Sequence, residues 1–292
     1  MTWVNAIIQG IMLGGFYALL ACGLSLMFGV MRIINLAHGD LAVLGAFLTW
    51  VLVDKTHFPL IVSLVLALIV MFGVGWALQR VLLERSLRSG MLIPLLTTFG
   101  LGIVIENLLL EAFSPDVRSL GGNAGVVTTA SWRITDQLSI SALGILILGV
   151  AIIVLGGLHL FLARTSLGRA MRATAQDPDT AELVGVDSRS VYARAAGIAV
   201  VTAALAGAFL AIRAVVDPSS GPTQLIFAFE AVVIGGFGSL WGTLLGGFVL
   251  GVAQTIGAQI DPQSSALAGH LVFLAVLAFR SGGILMARGA EA

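Results

Sequence analysis

Of the 292 residues, 58% are hydrophobic and 10% charged, and 15 Lys and Arg balance 15 Asp and Glu to a formal charge of zero. So little charge, with a mean hydropathy of +1.05, excludes an ordinary soluble domain, where about a quarter of residues are charged. The scattered arginines exclude a phosphate-tracking stripe, and with it a nucleic-acid partner.

The apolar runs are close to the length of about 20 residues that a membrane-crossing helix needs, and they lack the ten-residue alternation of a β-barrel. The fold class is an all-α integral membrane protein. Spans fall at about 4–30, 40–53, 59–83, 91–113, 138–163, 191–213, 225–239, 241–258 and 264–280. The seventh is short, and one broken helix could replace two short ones over 224–258, so the expectation is eight to nine transmembrane helices. No Lys or Arg precedes the first run, which exceeds the 7–15 residues of a signal-peptide core and reads as a retained helix. Cys22, the sole cysteine, lies inside it, so neither an internal disulfide nor a cysteine metal site is available.

After that helix comes RIINLAHGD, in which Asn35, His38 and Asp40 sit where a helix pauses and restarts. Asn35 and His38 are three apart and would share a helix face, where amide and imidazole could satisfy freed backbone groups. Direct substrate contact is the sharper alternative. The four histidines are far apart in sequence, which argues against a metal site. Further along, Glu106 and Glu230 are isolated carboxylates at apparent membrane depth. Both count as functional candidates and could carry protons in a secondary carrier.

The loop 114–136, with Pro115, Gly121, Gly122, Asn123 and Gly125, reads as a lid, a strand pair or a plain connector. The segment 164–190 is the longest polar stretch. Ser166 can cap a helix running toward Gln176, Asp177 can cap a second with Pro178 at its first position, and Gly185 can supply the left-handed residue that ends it. Such a structured element suits a platform for a cytoplasmic partner, with an internal brace as the other reading. Near the C-terminal end, Gly238, Gly242 and Gly246 stand four apart, as do Gly247 and Gly251, the spacing of close helix packing. The pair Gly235 and Gly236 invites a helix interruption instead. Paired interruptions in the two halves of a chain point to a transport pathway.

Alternating spans place Arg32, Arg80, Arg85, Arg88, Arg164, Arg169, Arg172, Arg189, Arg194, Arg280 and Arg288 on one side, against Lys55, Arg118, Arg133 and Arg213 on the other. Arginine-rich loops are cytoplasmic, which puts the N-terminus outside and the C-terminus inside.

Three stretches, GGFYALLACGLSLMFGVMRIINLAHGD, GRAMRATAQDPDTAELVGVD and AVVIGGFGSLWGTLLGGFVLGVAQ with a later FRSGGIL, occur in an order and combination that resembles the permease subunits of bacterial branched-chain amino acid ABC importers. The resemblance covers nearly the whole chain. It implies a single transmembrane permease domain over 1–292, with pseudo-repeated halves, in the inner membrane of a bacterium. It also implies a second permease subunit, usually non-identical, two cytoplasmic ATPase subunits and a periplasmic substrate-binding protein. Asn35, His38 and Gly39 would belong to the first broken segment and Gly235, Gly236 and Gly238 to the second, while Gly168, Arg169, Arg172, Asp177 and Gly185 would form the ATPase-coupling element. The cargo would be branched-chain or hydrophobic amino acids, with urea, amides or organic acids as alternatives within the family. No catalytic or metal site and no cofactor is expected. A Walker A motif is missing, since the sole lysine, Lys55, follows Asp54, so ATP and Mg would be bound by the partners.

Overall fold

The computed structural model describes residues 2–87, 90, 92–135, 138–280 and 283. Arg88, Asp136, Arg288 and most of the 281–285 stretch lie outside the described residues.

Helix α1 (Thr2–Met31) is apolar on every face rather than along one stripe, the pattern of a helix enclosed by others. Leu19, Leu20, Ala21 and Cys22, which together cover its whole circumference, are all buried. The chain continues through α2 (His38–Thr56), α3 (Leu60–Leu78), α4 (Leu92–Phe113) and α5 (Ala142–Arg164). Two short helices follow, α6 (Ser166–Gln176) and α7 (Pro178–Leu183), then α8 (Ser188–Arg213), α9 (Gly221–Gly235), α10 (Leu240–Ile260) and α11 (Ser265–Phe279). Among the described residues seven helical stretches are long and apolar enough to cross a membrane; α2 and α9 are outside that set. The chain is a multi-pass, all-α membrane protein.

Helices α1 and α8 form the centre. Close approach is built from small residues: a Cβ at Gly14 would lie 2.6 Å from the Gly247 carbonyl oxygen, and one at Gly45 would lie 2.5 Å from Ala204 Cα. The glycines of α10 divide by face. Gly242 and Gly246 back onto α9, whereas Gly247 and Gly251 back onto α1. The outer helices α3, α4, α5 and α11 present exposed Ile69, Leu96, Ile153 and Leu271 to their surroundings.

Several boundaries differ from the sequence expectation; the span drawn at 225–239, for one, is a helix over Gly221–Gly235. The span begun at 138 starts its helix only at Ala142, because Leu138–Ser141 (β2) pairs antiparallel with Ser131–Thr135 (β1) and the Ser141 hydroxyl then caps the helix by accepting from Gly144 N. The span ended at 83 runs on through a π-helical turn, Gln79–Leu83, to Leu87. There Glu84 meets Arg189 at the start of α8, 3.3 Å apart. One end of the bundle thus carries α6 and α7, with Glu84 and Arg189. The opposite end carries the β1–β2 hairpin and the Arg118–Val216 bridge.

Candidate functional site

Between α1 and α2 the backbone leaves helix at Arg32, which takes a positive φ of 54°. It then climbs back along α1. Asn35 Nδ2 lies 3.6 Å from Met27 Sδ, and His38 Nε2 lies 2.8 Å from the Leu20 carbonyl oxygen. Leu20 is 11 residues before Met31, so α2 begins about 16 Å inside the bundle. Asn35 lies in this linker, not on α2, and so does not share a helix face with His38: its Oδ1 accepts from Ala37 N at 3.0 Å, closing a turn just ahead of the helix. A carbonyl oxygen only accepts, so the proton of His38 sits on Nε2, and its buried Nδ1 has no partner among the described residues.

Helix α9 also starts deep. A Cβ at Gly39 would fall onto the Gly221 carbonyl oxygen and 2.8 Å from Leu225 N, so α2 and α9 touch at their N-terminal turns. The Asp40 carboxylate is wedged at this meeting point, buried, with Oδ1 lacking a hydrogen-bond partner. Two helix N-termini supply positive dipole ends there, which suits an anion. Helix α4 closes the third side. Thr98 Oγ1 accepts from Leu36 N at 3.1 Å, and Gly102 leaves room for Asp40 Oδ2, 2.5 Å from where its Cβ would be. Glu106, four residues beyond Gly102 on the same face of α4, is half-buried. The two carboxylates are therefore neighbours, and Glu106 is not isolated. Asn107 beside it is exposed.

Glu230 is also partnered. Its side chain is 4% exposed and bonds His270 Nδ1 at 2.5 Å, with His270 on α11 being 40% exposed. His270 stacks on Phe227, whose ring lies 5.1 Å from Tyr17, and the Tyr17 hydroxyl donates to Gln254 Oε1. Sequence reading missed His270, Gln254 and Thr98. A buried glutamate in an apolar helix demands a partner, and His270, a lone imidazole in another apolar helix, was the signal available.

Helix α9 ends at Gly235, followed by Gly236 with φ 102° and Gly238 with φ 74°. The adjacent glycines do produce an interruption. Phe28 packs on Phe237 at 4.3 Å, and a Cβ at Gly29 would sit 3.3 Å from Gly238 Cα. Ser239 then caps α10 by accepting from Gly242 N at 3.1 Å.

The same end of the bundle carries α6 and α7. The cap of α6 is Thr165, one residue before the expected Ser166, and accepts from Gly168 N at 3.0 Å. Asp177 caps α7 by accepting from Asp179 N and Thr180 N, with Pro178 at the first position. Gly185, with φ 89°, follows α7 as expected. Gly168 is buried against the Phe161 and Leu162 carbonyls, and Arg172 Nη1 donates to the Leu162 carbonyl, so both hold α6 down on α5. Arg169 reaches the Arg164 carbonyl at 3.3 Å. Leu183 and Val184 are 87% and 77% exposed, an apolar tip on a polar segment.

A family model described as branched-chain amino acid transport system / permease component matches residues 6–279. The chain is 33% identical to the high-affinity branched-chain amino acid transport system permease protein BraD of Pseudomonas aeruginosa, over 97% of this chain and 95% of that one. It is 28% identical to the high-affinity branched-chain amino acid transport system permease protein LivH of Escherichia coli, with the same coverage of 97% and 95%. A probable branched-chain amino acid transport permease protein LivH of Methanocaldococcus jannaschii is 25% identical over 86% of this chain and 80% of its own. No solved structure matches the chain.

Proposed function

The chain belongs to the family of branched-chain amino acid transport system permease components, and from that premise we propose that it is the membrane-spanning subunit of an ATP-driven importer for branched-chain or other hydrophobic amino acids. The whole chain is one permease domain in the bacterial inner membrane. It pairs with a second, non-identical permease subunit, two cytoplasmic ATPases and a periplasmic binding protein, which supply the nucleotide chemistry and the first recognition of cargo. The relatives' names support the cargo. Arginine bias supports the orientation, in which the α6–α7 end is cytoplasmic, the N-terminus is outside and the C-terminus inside. Counting α2 and α9 as embedded partial helices beside the seven long stretches gives nine.

The meeting of two interrupted helices at Asp40 carries the mechanism. Irregular backbone at membrane depth is tolerated only inside protein or beside a water-filled cavity, and transport pathways use such N-terminal ends. Glu106 and Asn107 on α4 extend this polar region to the outer surface of the subunit, a costly arrangement against lipid. That face of α4 lines the path with the second permease subunit. Asn35, His38 and Gly39 shape the first break, and Gly235, Gly236 and Gly238 the second. Glu230, paired with His270, holds α11 to α9.

The coupling element is 164–190. Gly168 and Arg172 brace it on α5, Arg169 and Asp177 fix its two short helices, and Gly185 closes the turn. The exposed Leu183 and Val184 present the surface that an ATPase cleft takes up. Uptake by the reconstituted complex from a panel of labelled leucine, isoleucine, valine, urea, acetamide and benzoate tests the proposal. ATP-dependent accumulation of the aliphatic amino acids is the expected result. Accumulation driven by an ion gradient in the absence of ATPase subunits overturns it in favour of a secondary carrier.

A further inference from the structure

At the α6–α7 end a cavity of about 310 Å³ lies between the last turns of α1 and α5, helix α6 and the elbow before α10. It is at the small end of ligand-sized pockets. Leu26, Val30, Leu162, Met171 and Leu240 give it apolar walls, and its polar groups are Ser25, His159, Arg172, Ser239 and Trp241. Among the described residues none of the lining groups is acidic. Ser25, at its wall, is 1% exposed, and its hydroxyl has no hydrogen-bond partner among the described residues. Arg172 donates one N–H to the Leu162 carbonyl and forms no ion pair among the described residues, although a guanidinium carries five N–H groups.

The aromatic side of the cavity faces outward. The His159 and Trp241 rings lie 6.0 Å apart and both residues are exposed. Beyond them α5 and α10 separate: a Cβ at Gly156 would meet only Trp241 Cη2, at 3.9 Å, and Leu160 and Leu245 are exposed. A cation, an imidazole and two hydroxyls thus sit beneath a Trp, and an apolar furrow leads away along the membrane-facing side. Trp marks the headgroup level of a bilayer, and arginine at that level attracts anionic headgroups.

We propose that this cavity seats the headgroup of an anionic phospholipid, its phosphate on Arg172 and His159, and an acyl chain in the furrow between α5 and α10. The lipid would touch two separate elements: α6 belongs to the surface segment and Gly238–Ser239 to the second helix break. A bound headgroup ties one to the other, so Arg172 acts toward the bilayer while α7 faces the cytoplasm.

The test is native mass spectrometry of the full-length chain, delipidated in detergent and reloaded with dioleoyl phosphatidylglycerol or dioleoyl phosphatidylcholine. The wild type should retain the glycerol lipid over the choline lipid. Arg172→Gln should weaken that retention about fivefold, the equivalent of about 1 kcal/mol per arginine at a membrane surface. Arg172→Lys should keep most of it, and Lys55→Gln at the opposite end should change nothing. Equal retention of both lipids, or no loss in Arg172→Gln, overturns the proposal. If millimolar glycerol 3-phosphate or inorganic phosphate displaces the lipid completely, the site takes soluble phosphate and the lipid assignment fails. Should Arg172→Gln not insert, Trp241→Ala and His159→Ala on other helices replace it, and unchanged retention in both overturns the proposal equally.

Discussion

Between Met31 and His38 the chain interrupts its helices deep in the bundle, and side chains take up the freed backbone groups: Thr98 for Leu36 N and Asn35 for Ala37 N. Between Gly235 and Leu240 it interrupts them beside the surface segment, and there positive-φ glycines and a serine cap suffice. Depth accounts for the difference. An unpaired N–H far from water must find a protein acceptor, whereas one near the membrane boundary has the cap and the interfacial solvent within reach. The first break is therefore expected to be rigid and intolerant, the second to be the one that moves.

The largest effect follows from the tight contact at the first break. Gly39→Val should remove most inserted, monodisperse protein in fluorescence-detected size exclusion, because its side chain would occupy the Gly221 carbonyl position, an overpacking of about 3 kcal/mol or more. Gly238→Ala at the second break meets a positive φ of 74° and, among the described residues, only Gly29 nearby. Its cost is about 1–2 kcal/mol, so protein should survive while uptake falls. If Gly238→Ala proves the more damaging to folding, the assignment of rigid and mobile breaks is reversed.

Glu230 and His270 sharpen the same contrast from between the breaks. His270→Ala leaves a buried carboxylate unpaired and should destabilise by about 2–3 kcal/mol, whereas Glu230→Gln leaves only a half-exposed imidazole and should cost clearly less. Thermal denaturation of the two single variants and the double one measures this. Equal losses would mean that the pair is solvated and holds nothing.

Next come the two side-chain acceptors at the first break. Asn35→Ala orphans a buried backbone N–H, worth about 1–3 kcal/mol, and Thr98→Val a part-buried one, worth less, while Asn35→Asp keeps an acceptor and should retain more stability. Stabilities indistinguishable from wild type would place water in the first break and make it an open part of the path.

How much of this could be read in the sequence depends on the range of the interaction concerned. The pause at Asn35–His38, the interruption at Gly235–Gly236 and the Asp177–Pro178–Gly185 signals were legible because glycine, proline and capping residues act on their own few neighbours. The depth of the first break was not, because it depends on His38 reaching Leu20 across 18 positions. Nor was the pairing of Glu230 with His270, 40 positions apart, or the contact of Asp40 with Gly102 and Gly221. Strand β2 was absorbed into an apolar run, since LSIS is as compatible with a helix start as with a strand until its partner is known.

The smallest effect is expected where water is most available, at the cap joining α6 to α7. The Thr180 hydroxyl and the Thr180 and Asp179 amides donate to Asp177 and hold its carboxyl below the usual carboxylate range. A group whose pKa is lower folded than unfolded contributes stability above its unfolded value, and loses it as pH falls through the lowered one. The cap should thus be fully charged near neutrality and fail only under acid. Hydrogen exchange at the Thr180 amide should be slow and flat from pH 7 down to the ordinary carboxylate range once corrected for intrinsic rates, with faster opening below it. Asp177→Ala should speed that exchange at every pH, leave the amides around Leu36 and Ala37 untouched, and weaken co-purification of the ATPases. Asp177→Asn keeps an acceptor for Asp179 N and Thr180 N and should lie between the two, without the acid-dependent opening. If Asp177→Ala loosened the amides at the first break as well, the surface segment and the deep break would be one cooperative unit, and the division into a rigid and a mobile interruption would not hold.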